Sequence, residues 1–262
     1  MNYWTQSTKN IYVAAHMGGA ADHPENTMEA FRASLKFDID QIETDLHMTK
    51  DGEIILMHDD TVDGTTNGTG LIREMTLSEI KTLDAGNGNE VPRLIELMEL
   101  VKDHPTLTLD VELKDYPIEG RDEFAYEACD KALKIIDDYG FTDRVVINSW
   151  DVKLHEYIYG KYGNKYRLHM YYPKRHLEWY NPSTSDPYVY GYCTCIFGFL
   201  EGEITRSDTE KLQKETGIRL WAGTYANNEK SIDASIAMGV ELITCDNPGE
   251  VIEILRKKNL HR

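Results

Sequence analysis

Leu107-Thr108-Leu109-Asp110-Val111-Glu112-Leu113-Lys114 alternates without a break between apolar and polar side chains. On a strand, successive side chains point to opposite faces. Asp110, Glu112 and Lys114 therefore share one face, and Leu109, Val111 and Leu113 the other. Gln41-Ile42-Glu43-Thr44-Asp45-Leu46 has the same build, with Glu43 and Asp45 on one face and Ile42, Thr44 and Leu46 turned toward a helix layer. Acidic groups grouped toward the end of an inner strand, with apolar side chains facing outward, suit a parallel barrel whose chemistry sits at the C-terminal ends of its strands.

Working outward, further short apolar runs alternate with longer helical patterns. The runs are Ile11–Ala15, Arg144–Ser149, Tyr166–Met170, Tyr192–Phe197, Ile218–Ala222 and Val240–Thr244. With the two quoted first they make eight. Such alternation argues for βαβ units, and eight of them in 262 residues favour an α/β fold closed as a (β/α)8 TIM barrel over a doubly wound open sheet. Leu94, Leu97, Met98 and Val101 form one helical stripe, Ile232, Ile236 and Gly239 mark a second, and Val251, Ile254 and Leu255 a third. Asn26, with Glu29 three residues on, reads as the cap of a helix start. Glu53–His58 is a ninth β-type run, but Asp51-Gly52 before it is a tight-turn signal, so it should fold back on the second strand as a hairpin. No linker or low-complexity segment interrupts the chain, which reads as one domain over residues 1–262.

Composition narrows the function. Hydrophobic residues at 41% and charged residues at 28% describe a soluble globular chain, and no stretch reaches the ~18 apolar residues of a membrane span. Residues 1–10 lack the apolar core of a signal peptide, which taken literally means a cytoplasmic protein. A formal net charge of −17 argues against nucleic acid as a partner. It also repels any anionic substrate, so a phosphate ester would need local positive charge, most simply a metal ion. The four cysteines contain a single close pair, Cys193 and Cys195, which disfavours a zinc site and leaves buried free thiols as the expectation.

Glu43 and Asp45 side by side repel one another unless a cation lies between them. With Asp110 and Glu112 from another strand they form a set of hard oxygen donors suited to Mg²⁺ or Ca²⁺; ordinary pairing with Lys114 is the plainer alternative. His16 ends the first run before Gly18-Gly19, and His58 ends the hairpin run before Asp59-Asp60. Both positions suit general acid and base work, because imidazole titrates near neutral pH.

In order, the chain carries His16-Met17-Gly18-Gly19, Pro24-Glu25-Asn26-Thr27, Glu43-Thr44-Asp45, Lys50-Asp51-Gly52, His58-Asp59, Thr65-Thr66-Asn67-Gly68, Asp84-Ala85-Gly86 and Glu112-Leu113-Lys114. This succession resembles the glycerophosphodiester phosphodiesterase family, closely over the first half of the chain. The second half is looser, with Asn148-Ser149-Trp150 and the segment Gly239 to Pro248 as its points of contact. The resemblance implies a metal-dependent enzyme that hydrolyses glycerophosphodiesters to glycerol 3-phosphate and an alcohol. It implies one divalent cation on Glu43, Asp45 and Glu112, His16 and His58 as the acid/base pair, and Lys114 as a phosphate contact. It also implies a small insertion after the second strand, over about residues 59–106, that covers the glycerol end. Trp150, Trp221 and Tyr225, at or near strand ends, are expected to line the substrate pocket.

Two positions depart from the family pattern. Met17 stands where an arginine usually follows the first histidine, and Gly64 where one usually precedes the Thr-Thr pair. Neither can supply a bidentate phosphate contact. A repurposed barrel that binds a ligand without turnover and a phosphodiesterase for a different diester are therefore rival readings, and a lyase on a related barrel that expels a cyclic phosphate is a third.

Overall fold

A computed structural model describes residues 10–118 and 120–262. The polar N-terminal stretch read above lies, apart from Asn10, outside the described residues. Among the described residues nine strands form: β1 (Tyr12–Ala15), β2 (Gln41–Met48), β3 (Ile54–Leu56), β4 (Thr108–Leu113), β5 (Val145–Asn148), β6 (Arg167–Tyr172), β7 (Cys193–Ile196), β8 (Arg219–Ala222) and β9 (Leu242–Cys245). Eight of them pair in parallel in the order β1-β9-β8-β7-β6-β5-β4-β2, and a β1–β2 pairing closes the ring. All eight expected barrel strands are present, with ends moved by a residue or two. The Asp51-Gly52 turn returns β3 antiparallel on β2, pairing Leu46 with Leu56 and Met48 with Ile54; Gly52 takes a φ of 83° there, which suits glycine alone among common residues.

The α-helices among the described residues are α1 (Met28–Ser34), α2 (Leu77–Ile80), α3 (Leu94–Val101), α4 (Asp122–Asp138), α5 (Val152–Tyr162), α6 (Arg206–Thr216), α7 (Glu229–Ala237) and α8 (Pro248–Lys257). The stripe Leu94, Leu97, Met98 and Val101 is fully buried in the main core between barrel and helices. In α8 the core positions are Val251, Ile252 and Leu255; Ile254 is only partly buried, so the stripe is shifted by part of a turn from the expected one. The segment expected as an insertion divides in two. Met57, Val62, Ile72, Ile80, Ala85 and Val91 build a small core of their own with Ile55 of β3, whereas α3 packs in the barrel's outer layer with α1 and α4. The segment with its own small core therefore ends near residue 91, before α3.

Asn26 is not the cap of α1. Thr27 is, accepting a hydrogen bond from the Ala30 N–H. Asn26 sits one residue earlier in the left-handed region at φ 54°, a conformation asparagine tolerates better than most residues, and its side chain is turned into the barrel mouth. No described helix is long and apolar enough to cross a membrane.

Candidate active site

Register decides which side chains meet. Glu43 lies opposite Asp110 and Asp45 opposite Glu112 across β2 and β4, with Asn148 next along from Glu112 and His169 beyond it. All of these line one cavity of about 170 Å³ at the C-terminal ends of the strands. One carboxylate oxygen each from Glu43, Asp45 and Glu112 lies within 4.8 Å of the others. The three residues are almost wholly buried, at 4%, 1% and 5% exposure. Three buried carboxylates that close would be prohibitive without counter-charge. Burial, then Asp45, pushes the Glu43 carboxyl well above its ordinary range.

In the protein alone, Lys114 supplies that counter-charge. Its Nζ is 2.7 Å from Glu112 Oε1 and 3.4 Å from Asp45 Oδ1. Burial disfavours its charged form, but Glu112 and Asp45 outweigh this and raise its pKa. Three further oxygens are held by neutral donors. The Met17 N–H donates to Glu43 Oε2 at 2.9 Å, Asn26 Nδ2 to Asp45 Oδ2 at 2.9 Å, and the Tyr171 hydroxyl to Glu112 Oε2 at 3.3 Å. Asp45 Oδ1 accepts no hydrogen bond. A hard, compact cation fits this donor set: three carboxylates converge, and one buried oxygen lacks a donor.

Both histidines line the same cavity. His16 Nδ1 is 2.6 Å from Asp246 Oδ1, and its Nε2 lies 3.9 Å from Glu43 Oε2. Burial lowers the His16 pKa, but the Glu43 charge and the Asp246 hydrogen bond overcome it and bring it to about 9. His58 Nδ1 is 2.8 Å from Asp59 Oδ1. Each imidazole is thus held at Nδ1 by an aspartate. Asp246 stood in the quoted closing segment without a role; its place directly after a strand end was the available signal. His169 and Asn148 were legible by parity alone. His169 Nδ1 pairs with Asp110 Oδ2 at 2.7 Å, and Asp110 is not among the three converging carboxylates.

The expected aromatic wall is realised in part. Trp150 lines the cavity and stacks on Tyr171, ring centroids 4.0 Å apart, with Phe197 beside it. Trp221 and Tyr225 are not among the lining residues. Trp221 points inward one layer lower, packed with Ala14, Val146, Cys193 and Leu242, and fills the barrel beneath the site. Tyr225 turns its hydroxyl to the Ile196 carbonyl and packs behind Phe197. The four cysteines are free and buried, as expected. Of the two departures, Met17 is buried at φ 49° and outside the lining set. Gly64 lies so near Asp59 that a Cβ there would sit 3.0 Å from its Oδ2.

A closed (β/α)8 barrel with carboxylates, two aspartate-held histidines and a buried lysine at its C-terminal mouth is an enzyme scaffold with its site in the place such barrels use for catalysis. The model of the glycerophosphoryl diester phosphodiesterase family matches residues 16–250, and the chain belongs to that family. It is 32% identical over 265 residues to a glycerophosphodiester phosphodiesterase of Caldanaerobacter subterraneus subsp. tengcongensis, covering 94% of this chain and 98% of the relative. Its fold matches the crystal structure of a protein from Silicibacter pomeroyi DSS-3 assigned provisionally to the same family, with a TM-score of 0.81, 23% identity, and coverage of 97% of this chain and 95% of that one. It also matches an Oleispira antarctica phosphodiesterase solved with its product sn-glycerol-3-phosphate, with a TM-score of 0.75, 20% identity, and coverage of 94% and 96%.

Proposed function

We propose that this enzyme hydrolyses glycerophosphodiesters to glycerol 3-phosphate and an alcohol, with Glu43, Asp45 and Glu112 holding one divalent cation, Mg²⁺ or Ca²⁺. The observation that carries the reading is the convergence of three buried carboxylates on one point in a cavity shared by His16 and His58. When bound, the cation supplies charge neutralisation for a phosphoryl oxygen and for the carboxylates themselves. Lys114, buried beside the same carboxylates, would supply positive charge to the phosphate. One imidazole Nε2 takes a proton from the attacking water, and the other Nε2 gives one to the departing alkoxide, so that water adds across the P–O bond. Asp246 and Asp59 hold the two rings in orientation, and Asp246 also stabilises the charged form of His16. Trp150 and Tyr171 offer an apolar wall to the carbon chain beside the phosphate. The substrate is a small molecule, and nothing in this arrangement calls for nucleic acid or a stable membrane anchor.

The test is turnover of a panel of glycerophosphodiesters with Mg²⁺, Ca²⁺ or chelator. Activity should disappear in chelator and return with one of the two cations. His16→Ala and His58→Ala should each lower kcat by roughly 10²–10⁴ while cation affinity, measured by calorimetry, persists. Near-normal kcat in either variant removes that histidine from the mechanism. A cyclic phosphate as end product would make the enzyme a lyase, and silence across the panel would favour a ligand-binding barrel.

A further inference from the structure

A second cavity, of about 310 Å³, opens beside the first, and His58 and Lys114 line both. A diester with its phosphate at His58 and Lys114 therefore has a chamber on either side. The smaller chamber, with Trp150, Tyr171 and Phe197, suits a three-carbon chain. The larger is walled by Asp59, Asp60, Asp115, Tyr116, Tyr180 and Arg121.

Three aspartates suggest a cationic guest at first sight, but each is already engaged. Asp59 holds His58; Asp115 takes the His47 ring at 2.8 Å and the Met48 N–H at 2.7 Å; Asp60 lies 3.6 Å from Arg73. The two tyrosines do not make an aromatic cage either. Their rings lie on one another, centroids 4.6 Å apart and planes 31° apart, so no cation fits between them. Arg121 is the group with capacity left over. Its Nε makes one long hydrogen bond, 3.4 Å to the Ile118 carbonyl, and among the described residues it has no carboxylate partner. The other lining cation, Lys114, is paired twice. A half-buried guanidinium with no carboxylate partner among the described residues, in a chain of net charge −17, is matched best by an anion from outside, which it can grip with two parallel N–H donors.

We infer that the larger chamber receives the alcohol end of the substrate and that Arg121 selects a head group bearing a carboxylate over one bearing a quaternary ammonium. The inference rests on the activity proposed above. It is tested by steady-state kinetics of the Mg²⁺-loaded enzyme, wild type and Arg121→Met, on glycerophosphoserine and glycerophosphocholine. The readout is the ratio of the two kcat/KM values, which does not depend on how much of a variant folds. The wild type should favour the serine diester. Arg121→Met should lower the ratio by about tenfold or more, the scale of a lost charge-assisted bidentate contact, with the loss carried by KM of the serine diester. Arg121→Lys, which keeps the charge but not the fork, should fall between the two. A ratio unchanged in Arg121→Met, even with both activities reduced, overturns the inference and leaves the proposed activity standing. So does a wild-type preference for the choline diester. Cleavage of neither diester by the wild type, nor of any other glycerophosphodiester, sinks the proposed activity and this inference with it.

Discussion

Lys114 occupies the position of a built-in counter-ion, and this fixes what its removal must do. It neutralises Asp45 and Glu112 from within 3.4 Å and 2.7 Å, and leaving a buried charge pair half broken typically costs ~3–5 kcal/mol. In Lys114→Met the three carboxylates should repel one another in the absence of a cation. The variant should therefore melt well below the wild type in chelator and recover most of the difference in millimolar Mg²⁺ or Ca²⁺, because a cation bound only by the folded state stabilises it in proportion to its affinity. The cation-induced gain in Tm, read by scanning calorimetry, should be larger in Lys114→Met than in the wild type. An equal gain in both would mean that Lys114 and the cation do not act on the same carboxylates. At this scale the sequence was informative where parity applies. Glu43, Asp45, Glu112 and Lys114 fall on one face because strand alternation leaves no choice. Trp221 obeys the same alternation, yet parity does not tell depth: it points inward a layer too low and becomes core. Tyr225 lies past the strand end, where alternation no longer holds, and its hydroxyl is taken by a main-chain carbonyl.

The loop between β1 and α1 is the element that ties the barrel to the site, and its hinge is Asn26. The Asn26 Nδ2 donates to Asp45 Oδ2, and its Oδ1 accepts from the Thr44 hydroxyl at 2.7 Å and the Asp45 N–H at 3.3 Å. One buried side chain therefore fixes both the entry to α1 and the aim of the Asp45 carboxylate. Two effects are separable by substitution. Asn26→Gly keeps the left-handed backbone at no steric cost but loses the three hydrogen bonds; Asn26→Ala loses the bonds and strains the backbone as well. Asn26→Gly should destabilise by ~1–3 kcal/mol for the unsatisfied buried partners, and Asn26→Ala by about 1 kcal/mol more. Both should weaken cation binding, since Asp45 loses its restraint. Urea unfolding and cation titration of the two variants check this; equal stability of Gly and Ala would remove the backbone argument. The expectation of Asn26 as a cap came from a local pattern, Asn followed by Glu three residues on. It gave way to Thr27, which caps equally well, because the long-range bonds to β2 claim the Asn26 side chain. Elements were otherwise legible from period and turn chemistry: a strict alternation for β2 and β4, an Asp-Gly turn for β3, and a 3.6-residue stripe for α3.

Across the whole molecule, closure of eight parallel strands creates an interior in which ionisable groups are buried beside one another, and stability must then depend on pH. The sequence foretold the closure, because eight strand runs separated by helices leave few other arrangements; it did not foretell which interior groups would be kept neutral, since that depends on depth. His155 in α5 is the clearest of these. It is fully buried, and burial, with His169 close by, holds its pKa down at about 3. In the unfolded chain it titrates near ~6.5. Between these values the unfolded state binds a proton that the folded state refuses. Stability from this source is therefore complete above about pH 6.5 and is lost as pH falls toward 3. By pH 5 the loss amounts to ~2 kcal/mol, since one pKa unit is about 1.4 kcal/mol. Glu43 works in the opposite direction: its raised pKa makes the folded state bind a proton more readily as pH falls. A single pH–stability curve would mix the two, whereas a difference between variants isolates His155. In His155→Leu the proton cannot bind in either state, and Glu43 is untouched. The unfolding free energy of His155→Leu relative to wild type, from urea titrations with chelator present in both, should rise by ~2 kcal/mol between pH 7 and pH 5 whatever its value at pH 7. A difference that stays flat over that range would mean that His155 takes up its proton inside the folded barrel.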